Sequence, residues 1–281
     1  MPTAIAGALA APVAALTAAA MAGPAAALWA GGLVALSPIH TLASHNAAPE
    51  AYLVTSLFIA LWLLTALDRR GHPSLAVALG LVVGGLLACG VAGFAAAAVL
   101  LPSCLALRRE RRSAAWQSGA VALAVAATAA ALGLARSPLD YGEIPPWIPE
   151  TTLAGIARCA GASFTRILGL EYQLVVPQAR YALPLTALVV AVMARGASRL
   201  PGRTAGLLVA GALLPVAMGA GMALGTGRVL PLQAHRLLAS LPFVALLTAA
   251  GLGSLSGRHA WAVGALLIGA LVAFHASALA R

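Results

Sequence analysis

An all-helical, polytopic membrane protein of about ten transmembrane helices is the fold class this sequence predicts, and three observations predict it. Of the 281 residues, 62% are hydrophobic and only 9% charged, against roughly a quarter charged in soluble domains. The mean hydropathy is +0.96. The few charges gather in short clusters between long charge-free runs, and a helix needs about 20 apolar residues to cross a bilayer, fewer when short or re-entrant.

On that ruler the spans fall at 4–21, 24–41, 51–67, 74–88, 91–107, 114–135, 181–195, 204–224, 236–254 and 260–279. No short apolar segment followed by a small-residue cleavage site stands apart at the start, so 4–21 reads as a span and not a removable signal peptide. Met21-Ala22-Gly23-Pro24 joins it to the second. The third closes on Arg69-Arg70. The fourth and fifth divide at Cys89-Gly90, and the fifth closes on Arg108-Arg109-Glu110-Arg111-Arg112. Arg195, Arg199 and Arg203 lie between the seventh and eighth, and Arg258 between the last two. Alternating ten spans puts all four arginine clusters on one side, as cytoplasmic anchors should be. Merging 74–107 into one span would break that agreement. The chain reads as a single transmembrane domain, 1–281, in a plasma or inner membrane.

All 17 basic residues are arginine, which together with the alanine and glycine excess points to a GC-rich coding bias. The net charge of +10 is therefore read as topological and implies no nucleic-acid partner. Cys89, Cys104 and Cys159 have no redox or metal-ligand spacing and read as small buried hydrophobes.

The same alternation collects the polar segments on the non-cytoplasmic side. The first is Ser37-Pro38-Ile39-His40-Thr41-Leu42-Ala43-Ser44-His45-Asn46-Ala47-Ala48-Pro49-Glu50-Ala51-Tyr52, costly beside lipid. The second is Arg136–Arg180, too long for a plain hairpin. It opens with a proline-stiffened run through Trp147. From Leu153 to Leu168 apolar residues follow helical spacing, which predicts an amphipathic helix lying in the interface. The third is the turn Gly225–His235. Five of the seven acids (Glu50, Asp140, Glu143, Glu150, Glu171) are on this side.

There is no Gly-Lys-Ser/Thr phosphate loop, His-Glu-x-x-His helix or Gly-x-Ser-x-Gly elbow. Gly161-Ala162-Ser163-Phe164 lacks the following glycine and the histidine span of a rhomboid protease. Two constellations remain: His45, Asn46, Glu50 and Tyr52, and Arg228, His235 and Arg236. Arginines at a membrane surface suit a phosphate or diphosphate, because a guanidinium offers fixed paired donors. Each could equally hold a lipid headgroup or cap carbonyls.

Leu36-Ser37-Pro38-Ile39-His40, then Ser44-His45-Asn46-Ala47 and Tyr52-Leu53, resembles the Leu-Ser-Pro, Tyr-Ser-Gln-Glu-Ala-Arg, Tyr-Ala-Leu segment of the C-type membrane glycosyltransferases. Pro146-Trp147-Ile148-Pro149 before an interfacial helix is similar to their central periplasmic loop. His235-Arg236-Leu237-Leu238 through Gly251-Leu252 is similar to their late Arg-Tyr-Leu, Pro, Ala-x-Gly-Leu span. The nearest types are the protein O-mannosyltransferases and aminoarabinose transferases.

The resemblance implies a polyprenyl-phosphate sugar as donor, arriving from the membrane lipid, and an outside acceptor of open identity. A carboxylate would deprotonate the acceptor while cations stabilise the departing phosphate. Arg236, with Arg228, would take the second role, and His45, Asn46 and Tyr52 would line the sugar pocket. A divalent metal stays an open requirement.

The family's acidic loop after its first span has no counterpart in Met21-Ala22-Gly23-Pro24, and two family anchors are replaced by Asn46 and Ala48. The catalytic residue is thus unassigned, and the expectation is a glycosyltransferase lacking its first span and catalytic loop, with a site facing the periplasm or exterior. The alternative is a non-catalytic membrane protein that binds or moves a polyprenyl lipid or serves as an accessory to glycan assembly.

Overall fold

Long alanine- and leucine-rich runs without charge can satisfy their backbone groups internally only as helices, and they do so here. The computed structural model describes residues 2–37, 40–41, 44, 50–88, 90, 92–133, 179–226 and 236–279. Every regular element among the described residues is helical. These are α1 (Pro2–Ala22), α2 (Pro24–Ala35), α3 (Glu50–Arg70), α4 (Pro73–Ala88), α5 (Ala92–Ala106), α6 (Arg112–Ala131), α7 (Ala179–Arg199), α8 (Gly202–Thr226), α9 (Leu241–Gly253) and α10 (Gly257–Leu279). Short 3-10 turns at Arg109–Arg111 and Arg236–Ser240 precede α6 and α9. Among the described residues four stretches are long and apolar enough to cross a membrane: Thr3–Ala22, Tyr52–Arg70, Arg109–Ala131 and Gly202–Gly225.

The run 74–107 is two helices, as the arginine pattern requires. Gly90, at φ 70°, makes the turn between them, a backbone region that glycine enters without penalty. Two expected spans are corrected. The run 24–41 is not one helix: α2 stops at Ala35, closed by Leu36 N–H to Gly32 O at 3.0 Å and Ser37 N–H to Val34 O at 3.2 Å. Ser37 precedes Pro38, and the proline ring disfavours helical backbone at the residue before it. The run 236–254 likewise opens as a 3-10 turn and becomes α-helical only at Leu241.

Helix α9 is the centre of the bundle. It packs against α1, α2, α3, α7, α8 and α10, and every residue from Leu241 to Leu252 is buried. A helix that is apolar all round needs such enclosure or lipid. The other nine described helices each present large apolar side chains outward, among them Leu9, Leu28, Trp62, Leu81, Leu101, Trp116, Val190, Leu213 and Trp261. That many exposed hydrophobes would be an aggregation hazard in water.

Small residues set the helix contacts, as is usual between helices in lipid. At the α7–α9 crossing, a Cβ on Gly196 would lie 2.0 Å from Leu247 O, and one on Gly251 would lie 2.0 Å from Val192 O. At the α4–α6 crossing, Gly80 and Gly84 admit Val121 and Val125. There Ser118 Oγ donates to Ala76 O across the interface at 2.9 Å.

Candidate functional site

The two ends of the bundle differ in chemistry, and side-chain bonds fix which segments meet at each. At one end, Arg69 donates to Ala20 O near the close of α1. Asp68 accepts from the Arg108 backbone N–H at 2.8 Å, with its carboxylate 3.6 Å from the Arg108 guanidinium. Arg111 lies over Gly71. Arg195 donates to Ser254 twice, Nε to Oγ at 2.9 Å and Nη2 to the carbonyl at 3.1 Å. Gly253 sits against Ala26 at the start of α2. The turns that carry the four arginine clusters therefore share one end.

The opposite end gathers the start of α1, the residues Ser37, His40, Thr41 and Ser44, and the start of α3. Thr55 Oγ1 on α3 donates to Ala6 O on α1 at 2.7 Å, and Thr17 Oγ1 on α1 reaches Phe58 O on α3 at 3.1 Å. These bonds hold α1 and α3 parallel. Thr41 N–H bonds to Ser37 O at 3.0 Å, and His40 and Thr41 are helical. His40, 3% exposed, brings Nε2 within 3.1 Å of Gly7 O. A carbonyl only accepts, so Nε2 carries the proton. Ser44 Oγ donates to His40 O at 2.8 Å and occupies the space a side chain at Gly7 would fill.

Of the residues singled out from the sequence, Glu50 is the first residue of α3 and Tyr52 stands in its opening turn, 42% exposed. Arg236 opens the 3-10 turn that leads into α9. That turn packs against α3, α5 and α8. Both helices run away from this end toward the arginines, so Glu50, Tyr52 and Arg236 share the polar end on adjoining elements. His45, Asn46, Arg228, His235 and the whole predicted interfacial helix lie outside the described residues.

Sequence reasoning passed over Ser37, His40 and Ser240 as individual site residues. Their signal was a polar side chain in an otherwise apolar run. Structure adds that all three are buried, at 3%, 3% and 0% exposure, and that Ser37 Oγ, His40 Nδ1 and Ser240 Oγ meet no hydrogen-bond partner.

Comparison with family models, curated proteins and solved structures finds no match to this chain. What fold and surface define is the class: an all-helical protein, several of whose helices have the length and apolar character of membrane spans.

Proposed function

We propose that this chain is a membrane glycosyltransferase of the C-type fold, moving a sugar from a polyprenyl-phosphate donor to an acceptor at the non-cytoplasmic face. In this reading all ten described helices cross the bilayer, the arginine end is cytoplasmic, and 136–180 forms an outward loop with an interfacial helix. The observation that carries it is the juxtaposition at the polar end. Parts of the two segments that resemble the family's, the start of α3 and residues 236–240, occupy adjoining elements there. Arg236 takes the departing phosphate, while the polar groups around 37–52 take the sugar.

The test is sugar transfer from polyprenyl-phosphate mannose, glucose or arabinose in membranes containing the protein. Arg236→Ala is expected to lower that transfer by about a hundredfold, the scale of losing one transition-state charge contact. Unchanged transfer in Arg236→Ala would remove the phosphate role.

A second reading, a non-catalytic polyprenyl-lipid binder, is favoured by one observation. The described acids Asp68 and Glu110 both lie at the arginine end, and Glu50 is the one described acid at the other. Lipid binding without turnover would decide for it.

A further inference from the structure

Buried polar side chains in a folded protein are almost always paired, and an unpaired one calls for a reason. Among the described residues most are paired here: Thr17, Thr55, Ser103, Ser118 and Thr248 each donate to a backbone carbonyl. The three unpaired atoms are Ser37 Oγ, His40 Nδ1 and Ser240 Oγ.

Their placement is not scattered. Ser37 and His40 stand three residues apart, and the Thr41 N–H bond to Ser37 O at 3.0 Å keeps them close. His40 is pinned to Gly7 near the start of α1. Ser240 closes the 3-10 turn that begins at Arg236. Helix α3 packs against both α1 and that turn. All three orphans therefore sit at the polar end, and none sits at the arginine end.

Their chemistry is equally uniform. None carries a fixed charge. A serine hydroxyl donates and accepts, and with Nε2–H committed to Gly7, the neutral ring leaves Nδ1 as an acceptor. Two hydroxyls beside a ring nitrogen that can only accept match the hydroxyl groups of a sugar, since an accepting Nδ1 has nothing to offer a phosphate oxygen.

We propose that Ser37, His40 and Ser240 form the hydroxyl-binding part of the donor site and take the sugar of the lipid-linked donor, while Arg236 takes its phosphate. This rests on the glycosyltransferase reading above and assigns residues to its sugar-binding half. It predicts an unusual pattern. Removing a buried hydroxyl normally destabilises a protein, because a bond is lost. Removing an unpaired one leaves stability unchanged or raises it. Ser37→Ala and Ser240→Ala should therefore spare the free protein and harm only the response to sugar.

The experiment is thermal unfolding of the full chain in detergent, alone and with two kinds of lipid. One is polyprenyl phosphate; the other is the same lipid carrying mannose, glucose or arabinose. A ligand that binds only the folded state raises Tm by mass action. Thr17→Val, which removes a paired hydroxyl, is the reference for ordinary loss.

The expected result is that both alanine variants unfold at or above the wild-type Tm without lipid. With lipid they keep the shift due to polyprenyl phosphate but lose the extra shift due to the sugar. If either variant's Tm falls as far as that of Thr17→Val without lipid, its hydroxyl is partnered within the protein and the proposal is overturned. It is also overturned if both keep the full sugar increment. A wild-type protein that responds to polyprenyl phosphate but to no sugar overturns this inference and leaves lipid binding standing. No response to any of the lipids would sink the glycosyltransferase reading itself, and this inference with it.

Discussion

Gly251→Ala is the substitution in which the structure speaks most directly, because opposite effects compete and the distances decide. Replacing a helical glycine by alanine favours the helix by about 1 kcal/mol. At Gly251 the added Cβ would lie 2.0 Å from Val192 O and 2.8 Å from Val192 Cγ1, where an ordinary contact begins at 3.4 Å. Helix α7 must then retreat from α9 by about 1.4 Å. The obstacle is backbone, so no rotamer change relieves it. Overpacking of this kind costs about 3 kcal/mol at the upper end of its usual range, leaving a net loss of about 2 kcal/mol.

Gly206 and Gly221 on α8 provide the comparison, since a Cβ at either meets nothing within 4 Å. Alanine there should be neutral or stabilising by up to about 1 kcal/mol. Gly196→Ala should behave like Gly251→Ala, and the double variant should lose less than the two together. One separation of α7 from α9 relieves both contacts, and residues sharing a backbone shift are not additive. Thermal unfolding in detergent, followed by near-ultraviolet circular dichroism, reads all five proteins. If Gly251→Ala unfolds at or above the wild-type temperature, as Gly206→Ala should, the close approach of α7 and α9 is refuted.

Three further outcomes are expected. Ser118→Ala should lower stability by about 0.6 kcal/mol, the typical worth of a hydrogen bond between membrane helices, because Ser118 Oγ is shared between Ala76 O on α4 and Ala114 O on its own helix; unfolding in detergent checks it. Arg195→Gln should lose about 1.5 kcal/mol, since the fork that holds Ser254 twice is broken, and Arg195→Lys should recover little because an ammonium lacks the paired geometry. Single cysteines at Ser74 and Ser256, in a background without Cys89, Cys104 and Cys159, should react with an impermeant maleimide from the opposite side of the membrane to one at Tyr52. Labelling of all three from one side would contradict the two-ended arrangement.

The helices were legible because a bilayer-length run without charge has few other fates. The arginine clusters were legible as a group for the same reason: each sits at a helix end, and alternation puts those ends together. The break at Ser37 was written in the Ser-Pro step and was overridden by reading the apolar run past it. What could not be read was which helix lies inside. Leu237–Leu252 looks no different in composition from α2 or α5, yet it is the enclosed one, because enclosure depends on which neighbours arrive. Gly251 shows the same limit. In the sequence it is one letter of a loose family resemblance; in the structure it is where the backbone of α7 meets α9. The unpaired state of Ser37, His40 and Ser240 was beyond any pattern, since pairing depends on atoms contributed from α1 and the surrounding helices.

Among the described residues the interior is held by hydrogen bonds to carbonyls, while the Asp68–Arg108 ion pair lies at the exposed arginine end, and this bears on the site. Away from water, an ion pair must repay a large desolvation cost, whereas a threonine or serine can bond to a carbonyl at little cost while its methyl or Cβ packs. Thr17 and Thr55 fix the register of α1 on α3 in this way. That register sets where Gly7 stands, Gly7 receives His40, and His40 carries the turn that includes Ser37. Helix α9 is clamped at its far end by Arg195 on Ser254, which fixes the depth of Ser240 and of residue 236. The polar end is thus positioned by neutral contacts within the bundle. In the proposed site a sugar phosphate, with many hydroxyls and one charged group, would meet the neutral groups of Ser37, His40 and Ser240.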